Sequence, residues 1–273
     1  MKYYNLLVTE WLKFRKNAVV SLLGIMFLVF MPTSIFIGKE FKNVPPPLPN
    51  NSIFFEFPSM WSYLGYVGNW LVFFFIGLMV IYMITSEVGY KTMRQNIISG
   101  YTRHDFYMSK MTSTIVLCLF VTFMYAVIGL GIGLWHTEGA DLAYAFDNNW
   151  AIPRFFLMSL GYCSIGFFIA FLLRRSGIAV MFYLSYVILV EIILRWGVHG
   201  KMMGFKNSSI NYYPANSFED LMPNPLFRYA EAIPMDDLDF DFLLTYGQAA
   251  ISSVIYISIF FGLSYFMFLK RDI

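Results

Sequence analysis

Charged residues are scarce in this sequence. Asp, Glu, Lys and Arg make up 13% of its 273 residues, whereas an ordinary globular domain carries about 25%. Apolar residues make up 58% of the chain and aromatic residues 20%. This composition excludes an ordinary soluble domain and predicts a chain that lies in a membrane.

Cysteine and histidine are almost absent as well. The two cysteines, Cys118 and Cys163, both fall inside apolar runs, so they predict neither a disulfide framework nor a thiolate metal site. The three histidines lack the spacing of a metal site. The aspartates at positions 236–241 lack the glycine and the closing glutamate of a calcium loop. We therefore expect no metal site.

The phosphate-binding motif of ATPases is missing too. No G-x-x-x-x-G-K-[ST] occurs in the sequence, and ATP chemistry requires that loop together with a magnesium ligand. We therefore expect that this chain is not an enzyme and does not hydrolyse ATP by itself. Gly129, Gly131 and Gly133 resemble a dinucleotide-binding pattern only superficially, because no strand precedes them. Gly129 and Gly133 instead predict a small-xxx-small face for close helix packing.

What the sequence does contain is six long apolar runs, each able to cross a hydrocarbon core of about 30 Å. The predicted spans are residues 18–37, 67–85, 111–135, 155–173, 178–194 and 243–269. Residues 1–17 precede them with apolar side chains at helical spacing, among them Trp11, while Glu10 and Lys13 fall elsewhere. This pattern predicts a helix in the membrane interface, and the alternative is a ragged start of the first span. No signal-peptide cleavage site is recognisable, so we expect the first run to remain as an anchor.

The distribution of basic residues predicts the orientation of these spans. Twelve of the 19 Lys and Arg residues lie in short segments that fall on one side: Lys2, Lys13, Arg15, Lys16, Lys91, Arg94, Arg103, Lys110, Arg174, Arg175, Lys270 and Arg271. Basic residues near spans favour the cytoplasmic side. We therefore predict a multi-pass protein of the cell membrane with both termini in the cytoplasm. Residues 196–240 then form an extracytoplasmic segment.

The basic segment 86–110 between the second and third spans is predicted to be cytoplasmic and helical. Residues 87–98 fit a helix that stops near Gly100. Thr102 and Asp105 have the spacing of a capping box for the next helix. The alternative is a solvated loop that merely obeys the charge rule. Its length, and the apolar Met93, Ile97 and Ile98, favour a structured connector instead.

These features together resemble the ABC-2 type transporter permeases. The members of that family have six spans, an interfacial N-terminal helix and a cytoplasmic connector. The second span ends in Glu, here Glu87, and is followed by a basic residue with Thr, here Lys91 and Thr92. Gly100, Thr102, Arg103 and Lys110 occupy the matching later positions, although Ser99 to Tyr101 replace the family's Pro-rich turn.

The resemblance implies a single ABC-2 type transmembrane domain over residues 1–273, with 86–110 as its coupling segment. It also implies an exporter that works by alternating access. The expected partners are cytoplasmic ABC ATPase subunits, which would hold ATP and magnesium, and a second permease subunit, identical or related. Membrane lipid surrounds the chain, and no nucleic acid partner is expected. The residues expected to dock the ATPase are Glu87, Lys91, Thr92, Arg94 and Arg103.

One further pair of charged residues lies at the far end of the fifth span. Glu191 and Arg195 are one helical turn apart, which is compatible with an outer gate or with an i,i+4 pair that reaches the interface. An intramembrane enzyme is disfavoured, because no paired catalytic groups occur in the spans. An ion-coupled secondary transporter and a non-transporting scaffold or sensor remain alternatives.

Overall fold

The computed structural model describes residues 2–40, 51–98, 100–139, 141–146, 150–204, 207–227 and 243–270. Every regular element in these ranges is a helix. Five helices are long and apolar enough to cross a membrane, and a sixth span results if two helices joined at a 40° bend count as one. The predicted all-α membrane fold is confirmed. The aspartates at 236–241 lie outside the described residues.

The helices follow one another with short connections. In chain order they are α1 (Lys2–Phe14), α2 (Ala18–Glu40), α3 (Ser59–Gly89), α4 (Thr92–Ile98), α5 (Arg103–His136), α6 (Leu142–Phe146), α7 (Ala151–Leu173), α8 (Ser176–Val190), α9 (Ile193–Met203), α10 (Pro214–Glu219) and α11 (Tyr246–Lys270). The long helices are α2, α3, α5, α7 and α11, and α8 with α9 forms the bent pair.

Helix α7 is the centre of the bundle. It packs against α3, α5, α8 and α11. In its most apolar stretch, 67% of the residues are buried, a larger share than in any other long helix of the described ranges. Two of its buried serines bond within the helix: the Ser159 hydroxyl donates to the Phe155 carbonyl at 2.8 Å, and the Ser164 hydroxyl to the Gly161 carbonyl at 2.7 Å. Neighbouring helices can therefore enclose these serines without leaving their hydroxyls unpaired.

Two glycines of α5 lie against aromatic rings at and just before the beginning of α3. Gly129 faces the ring of Trp61, and Gly133 faces the ring of Phe57. A Cβ at either position would collide with the ring. The Tyr125 hydroxyl donates to the Trp61 carbonyl at 2.7 Å and fixes the same contact. The predicted close packing at these glycines is thus present, but rings rather than a second backbone fill the groove.

Two predicted boundaries differ from the structure. The second span was expected to begin at residue 67, but α3 begins at Ser59, and Met60, Trp61 and Leu64 are buried in the core. The fifth apolar run was expected to end at 194, but α9 continues the helical path to Met203 after the bend. Burial in the core accounts for the earlier start of α3. The side chains of α9 are mostly exposed, so its continuation past residue 194 does not follow from burial within the bundle.

Part of the predicted extracytoplasmic segment 196–240 folds into the bundle. Within the described residues 207–227, Phe218 and Leu221 are fully buried. Phe218 lies against Gly161 of α7, and α10 packs against both α7 and α11. Since the Phe218 ring reaches the middle of α7, this part of the segment belongs to the interior of the bundle.

Candidate functional site

Buried charges connect three helices at one end of the bundle, which we call the basic end. The Lys110 ammonium of α5 binds the carboxylates of Glu10 on α1 and Glu87 on α3. Lys13 also binds both carboxylates, each at 3.1 Å. Glu10, Glu87 and Lys110 are buried. We call these four residues the ionic cluster, and it contains two acidic and two basic groups.

The environment of Lys13 in the ionic cluster favours its charged form. Burial lowers the pKa of Lys13, but the negative charges of Glu10 and Glu87 raise it more, so the pKa lies above its usual value of 10.5. The Lys110 ammonium also lies 5.1 Å from the centre of the Phe14 ring and 5.5 Å from that of Phe106. Such cation–π contacts and ion pairs replace the water that the charges lose on burial.

Helix α1 buries the charged Glu10 against the protein and leaves large apolar side chains exposed. Glu10 and Phe14 are buried, whereas Val8, Trp11 and Leu12 are exposed. A water-soluble protein would have the opposite arrangement. An exposed stripe that contains Trp11 suits a helix whose outer face contacts lipid at the membrane interface.

The connector between α3 and α5 is a short helix between two left-handed residues. Lys91 has a φ of 59° and Gly100 a φ of 101°, and α4 lies between them. The predicted helix over 87–98 is therefore wrong at its start, because Glu87 belongs to the last turn of α3. The predicted capping box is confirmed: Asp105 N–H donates to the Thr102 hydroxyl at 3.1 Å, and Thr102 N–H donates to Asp105 at 3.2 Å.

The five residues expected to dock an ATPase separate into two groups. Glu87 is buried in the ionic cluster, the Thr92 hydroxyl donates to the Glu87 carbonyl at 3.2 Å, and the Arg103 guanidinium donates to the Leu269 carbonyl at 2.8 Å. These three hold the segment in place. Lys91 and Arg94 are exposed.

Two exposed apolar side chains of this surface were not among the expected docking residues. Ile98 is 79% exposed and Tyr90 is 73% exposed, while Met93 of the same helix is buried. The apolar character of Ile98 was visible in the sequence, but which apolar residue stays exposed depends on how α4 packs. We call Tyr90, Lys91, Arg94 and Ile98 the connector surface.

Polar contacts of a different kind lie at the opposite end, which we call the distal end. Glu191, between α8 and α9, is buried. Its carboxylate accepts the backbone N–H groups of Ala215 at 2.9 Å and Asn216 at 2.8 Å. Glu191 therefore holds the first turn of α10 against the bundle.

Arg195 also binds the returning segment rather than Glu191. Its guanidinium donates to the Ile210 carbonyl and the Asn211 side chain, each at 3.0 Å, and to the side-chain oxygen of Asn216. Among the described residues no ion pair joins Glu191 to Arg195. Instead of pairing with each other, Glu191 and Arg195 each hold residues 210–216 against the bundle.

A cavity of about 100 Å³ lies beside these anchors, enclosed by α3, α7, the bent pair α8–α9, and α10. We call it the distal cavity. It is lined by Asn69, Trp70, Phe73, Tyr162, Val187, Ile188, Glu191, Ile192, Arg195, Ala215, Asn216 and Glu219. The lining combines aromatic rings with three charged side chains, a combination that fits ligand sites better than a packing defect.

The three π-helical turns of the described ranges all border this cavity. The π-helical turns span Val72–Ile76, Tyr186–Val190 and Ile193–His199, and each contributes lining residues. In the first, the Tyr183 hydroxyl donates to the Phe73 carbonyl at 3.2 Å in space left by Gly77. Single π-helical turns occur frequently at functional sites.

Comparison with known proteins identifies one family. The sequence profile described as ABC-2 family transporter protein matches residues 6–190. The match includes most of α1, the ionic cluster, the connector surface and the walls of the distal cavity up to Ile188. A comparison with curated proteins gives no match. Within the described residues, no group of three or more His, Cys, Asp or Glu side chains could hold a metal ion.

Proposed function

Because this chain belongs to the ABC-2 family of transporter proteins, we propose that it is the permease subunit of an ATP-driven exporter. Separate cytoplasmic ATPase subunits would bind ATP and magnesium and drive it. A second permease, identical or related, would complete the transport path. The basic end would face the cytoplasm, in agreement with the positive-inside rule, and the chain would lie in the cell membrane with both termini inside.

The connector surface is the observation that carries this proposal. Its apolar Ile98 and Tyr90 are largely exposed beside the basic Lys91 and Arg94. An apolar anchor flanked by arginine is typical of protein interfaces, where a few such residues supply most of the affinity. Helix α4, which bears Arg94 and Ile98, is bounded by the left-handed residues Lys91 and Gly100.

The buried residues beneath the connector surface connect α4 mechanically to the neighbouring helices. Glu87 joins the end of α3 to α1 and α5 through Lys13 and Lys110, and Thr92 ties α4 to Glu87. We propose that Glu87, Thr92 and Arg103 act as positioning residues, while Lys91 and Arg94 contact the ATPase. A push on α4 would then move α1, α3 and α5 together. The left-handed Lys91 concentrates backbone strain at the break, as is common in moving segments.

Co-purification with an ATPase tests the proposal. The tagged chain is co-expressed with an ABC ATPase of the same genome and purified in mild detergent. We expect Arg94→Ala combined with Ile98→Asp to lower ATPase recovery at least about tenfold, since each residue of such an anchor contributes about 1 kcal/mol or more. Arg175→Ala is the control, because Arg175 is exposed at the same end but lies outside the connector surface.

Equal ATPase recovery by the double variant and the native chain would overturn the docking assignment but not the family membership. Transport assays in vesicles distinguish the alternatives. ATP-dependent transport with the reconstituted ATPase supports the exporter, whereas transport driven by a proton or sodium gradient alone supports an ion-coupled secondary transporter. A scaffold or sensor would show neither.

A further inference from the structure

We propose that the distal cavity is a binding site for an organic ammonium ion, with its positive charge near Glu219 and its alkyl groups against Trp70 and Phe73. The site belongs to this chain alone and does not depend on a partner ATPase. Its binding can therefore succeed or fail independently of the transporter function proposed above.

The charges around the cavity favour a cation. Glu191, Glu219 and the buried Asp220 all lie close enough to Arg195 to interact with its guanidinium, which gives three acidic groups and one basic group. Arg195 is the single basic side chain among the residues that line the cavity. The guanidinium is already engaged by Ile210, Asn211 and Asn216. An excess of negative charge therefore remains for a ligand.

Glu219 is the acidic group that has no fixed partner. The Glu191 carboxylate accepts two backbone N–H groups, and Asp220 accepts the Leu244 N–H and the Asn216 amide, each at 2.9 Å. The Glu219 carboxylate accepts no such bond from the described part of the chain, although it lines the cavity. Burial of this carboxyl raises its pKa. A ligand cation would compensate for the water that the carboxylate has lost.

The remaining lining selects an organic cation over a metal ion. Trp70, Phe73 and Tyr162 present aromatic surface to the cavity, and most of the other lining residues from α8 and α9 are aliphatic. Aromatic faces attract ammonium groups, most strongly where water is excluded. Metal ions instead prefer several oxygen ligands. The cavity volume of about 100 Å³ is enough for a compact ammonium group, since a water needs about 10–15 Å³ on the same measure.

Three π-helical turns around the cavity are an independent sign of a site. Each replaces regular helical hydrogen bonds with the rare i→i+5 pattern, which is frequently found at functional sites. The two in the fifth span flank Glu191 on either side. They give the bent pair the shape that brings Ile188, Ile192 and Arg195 to the cavity together.

Calorimetric titration of choline into the purified full chain tests the proposal, with the chain in nanodiscs of phosphatidylglycerol. We expect saturable binding by the native chain. Glu219→Gln, which keeps the shape of the side chain but removes its charge, is expected to weaken binding at least about tenfold. Trp70→Leu should weaken it several-fold. Glu138→Gln is the control, since Glu138 is exposed and does not line the cavity.

The uncharged isostere of choline, with carbon in place of the ammonium nitrogen, separates charge recognition from apolar filling. We expect it not to bind. Absence of choline binding by the native chain, unchanged binding by Glu219→Gln, or equal binding of the isostere would each overturn the proposal. Equal melting temperatures of the variants and the native chain verify that the variants are folded.

A second arm identifies the source of the ammonium group, which could be a free solute or a lipid headgroup. The titration is repeated in nanodiscs that contain phosphatidylcholine. Weaker apparent binding of free choline there shows that lipid headgroups enter the cavity from the side of Trp70, which is 44% exposed. Unchanged binding shows that the cavity takes the soluble cation.

Discussion

The two ends of this bundle differ in how their buried charges are paired. At the basic end, Glu10 and Glu87 face Lys13 and Lys110, and each carboxylate binds both ammonium groups. At the distal end, three acidic groups surround Arg195, and most of their bonds go to backbone and amide groups. The balanced cluster binds helices to one another. The unbalanced one leaves the carboxylate of Glu219 facing a cavity.

This difference shows how the same residue types can serve structure or binding. A buried charge is stable only when other groups replace its water. Where the chain supplies an opposite charge for every group, the site is complete and excludes ligands. Where acidic groups exceed basic ones, a cation from outside can complete the set. The number of oppositely charged partners that the chain supplies distinguishes a structural charge cluster from a binding site. The presence of buried charge alone does not.

The largest expected effect comes from breaking the balance at the basic end. Lys110→Met would leave Glu10 and Glu87 buried with only the half-buried Lys13, and removal of one partner from a buried ion pair costs about 3–5 kcal/mol. We expect a large fall in melting temperature and in the yield of monodisperse protein. Thermal unfolding in detergent, followed by light scattering, measures both.

Two variants sharpen this prediction. Lys13→Met should have a smaller effect, about 1 kcal/mol or less, because its side chain is 29% exposed. Combining Lys110→Met with Glu10→Gln and Glu87→Gln should restore much of the stability, since a neutral set leaves no unpaired charge. Equal melting temperatures for Lys110→Met and the native chain would contradict a stabilising role of the ionic cluster.

An intermediate effect is expected from the distal anchor. Glu191→Ala would remove the acceptor of the Ala215 and Asn216 N–H groups, and a buried donor left unpaired costs about 1–3 kcal/mol. Hydrogen exchange at these two amides should become much faster. Glu191→Gln retains one acceptor oxygen and should show less acceleration. Unchanged exchange in Glu191→Ala would mean that α10 is held without this carboxylate.

The smallest expected effect is the pH dependence of choline binding at the distal cavity. Burial raises the pKa of Glu219 above its usual 4.5, although the nearby Arg195 opposes this shift and Glu191 adds to it. The cation binds the ionised carboxylate, so affinity is full above the raised pKa and falls as the pH drops through it. We expect binding to weaken as the pH is lowered through this raised pKa. Titrations at a series of pH values should show no such dependence in Glu219→Gln.

Local spacing was sufficient for some details of the fold. The capping box of Thr102 and Asp105 was predicted and is present, because both partners lie within one helical turn. The stop near Gly100 was also correct, since a left-handed φ favours glycine. The start of the connector helix was predicted incorrectly. Lys91 adopts a left-handed φ that its residue type does not indicate.

Contacts between distant segments could not be predicted. Glu10 and Lys110 are 100 positions apart. The sequence located Glu10 on an amphipathic helix but did not indicate its partner. Glu219 carried no signal at all, because nothing local marks it as the acidic group that lines a cavity. Arg195 and Glu191 were recognised as a pair, yet each binds the returning segment around α10.

The sequence by itself determined the membrane fold, the approximate spans and the family, because hydropathy and charge distribution act along the chain and need no partner. Tertiary structure alone decided which charges are paired and which line a cavity. Two residues can neutralise each other only if folding brings them within about 4 Å. The ends of α1, α3 and α5 meet in this way around Lys110, whereas the distal helices leave Glu219 beside open space.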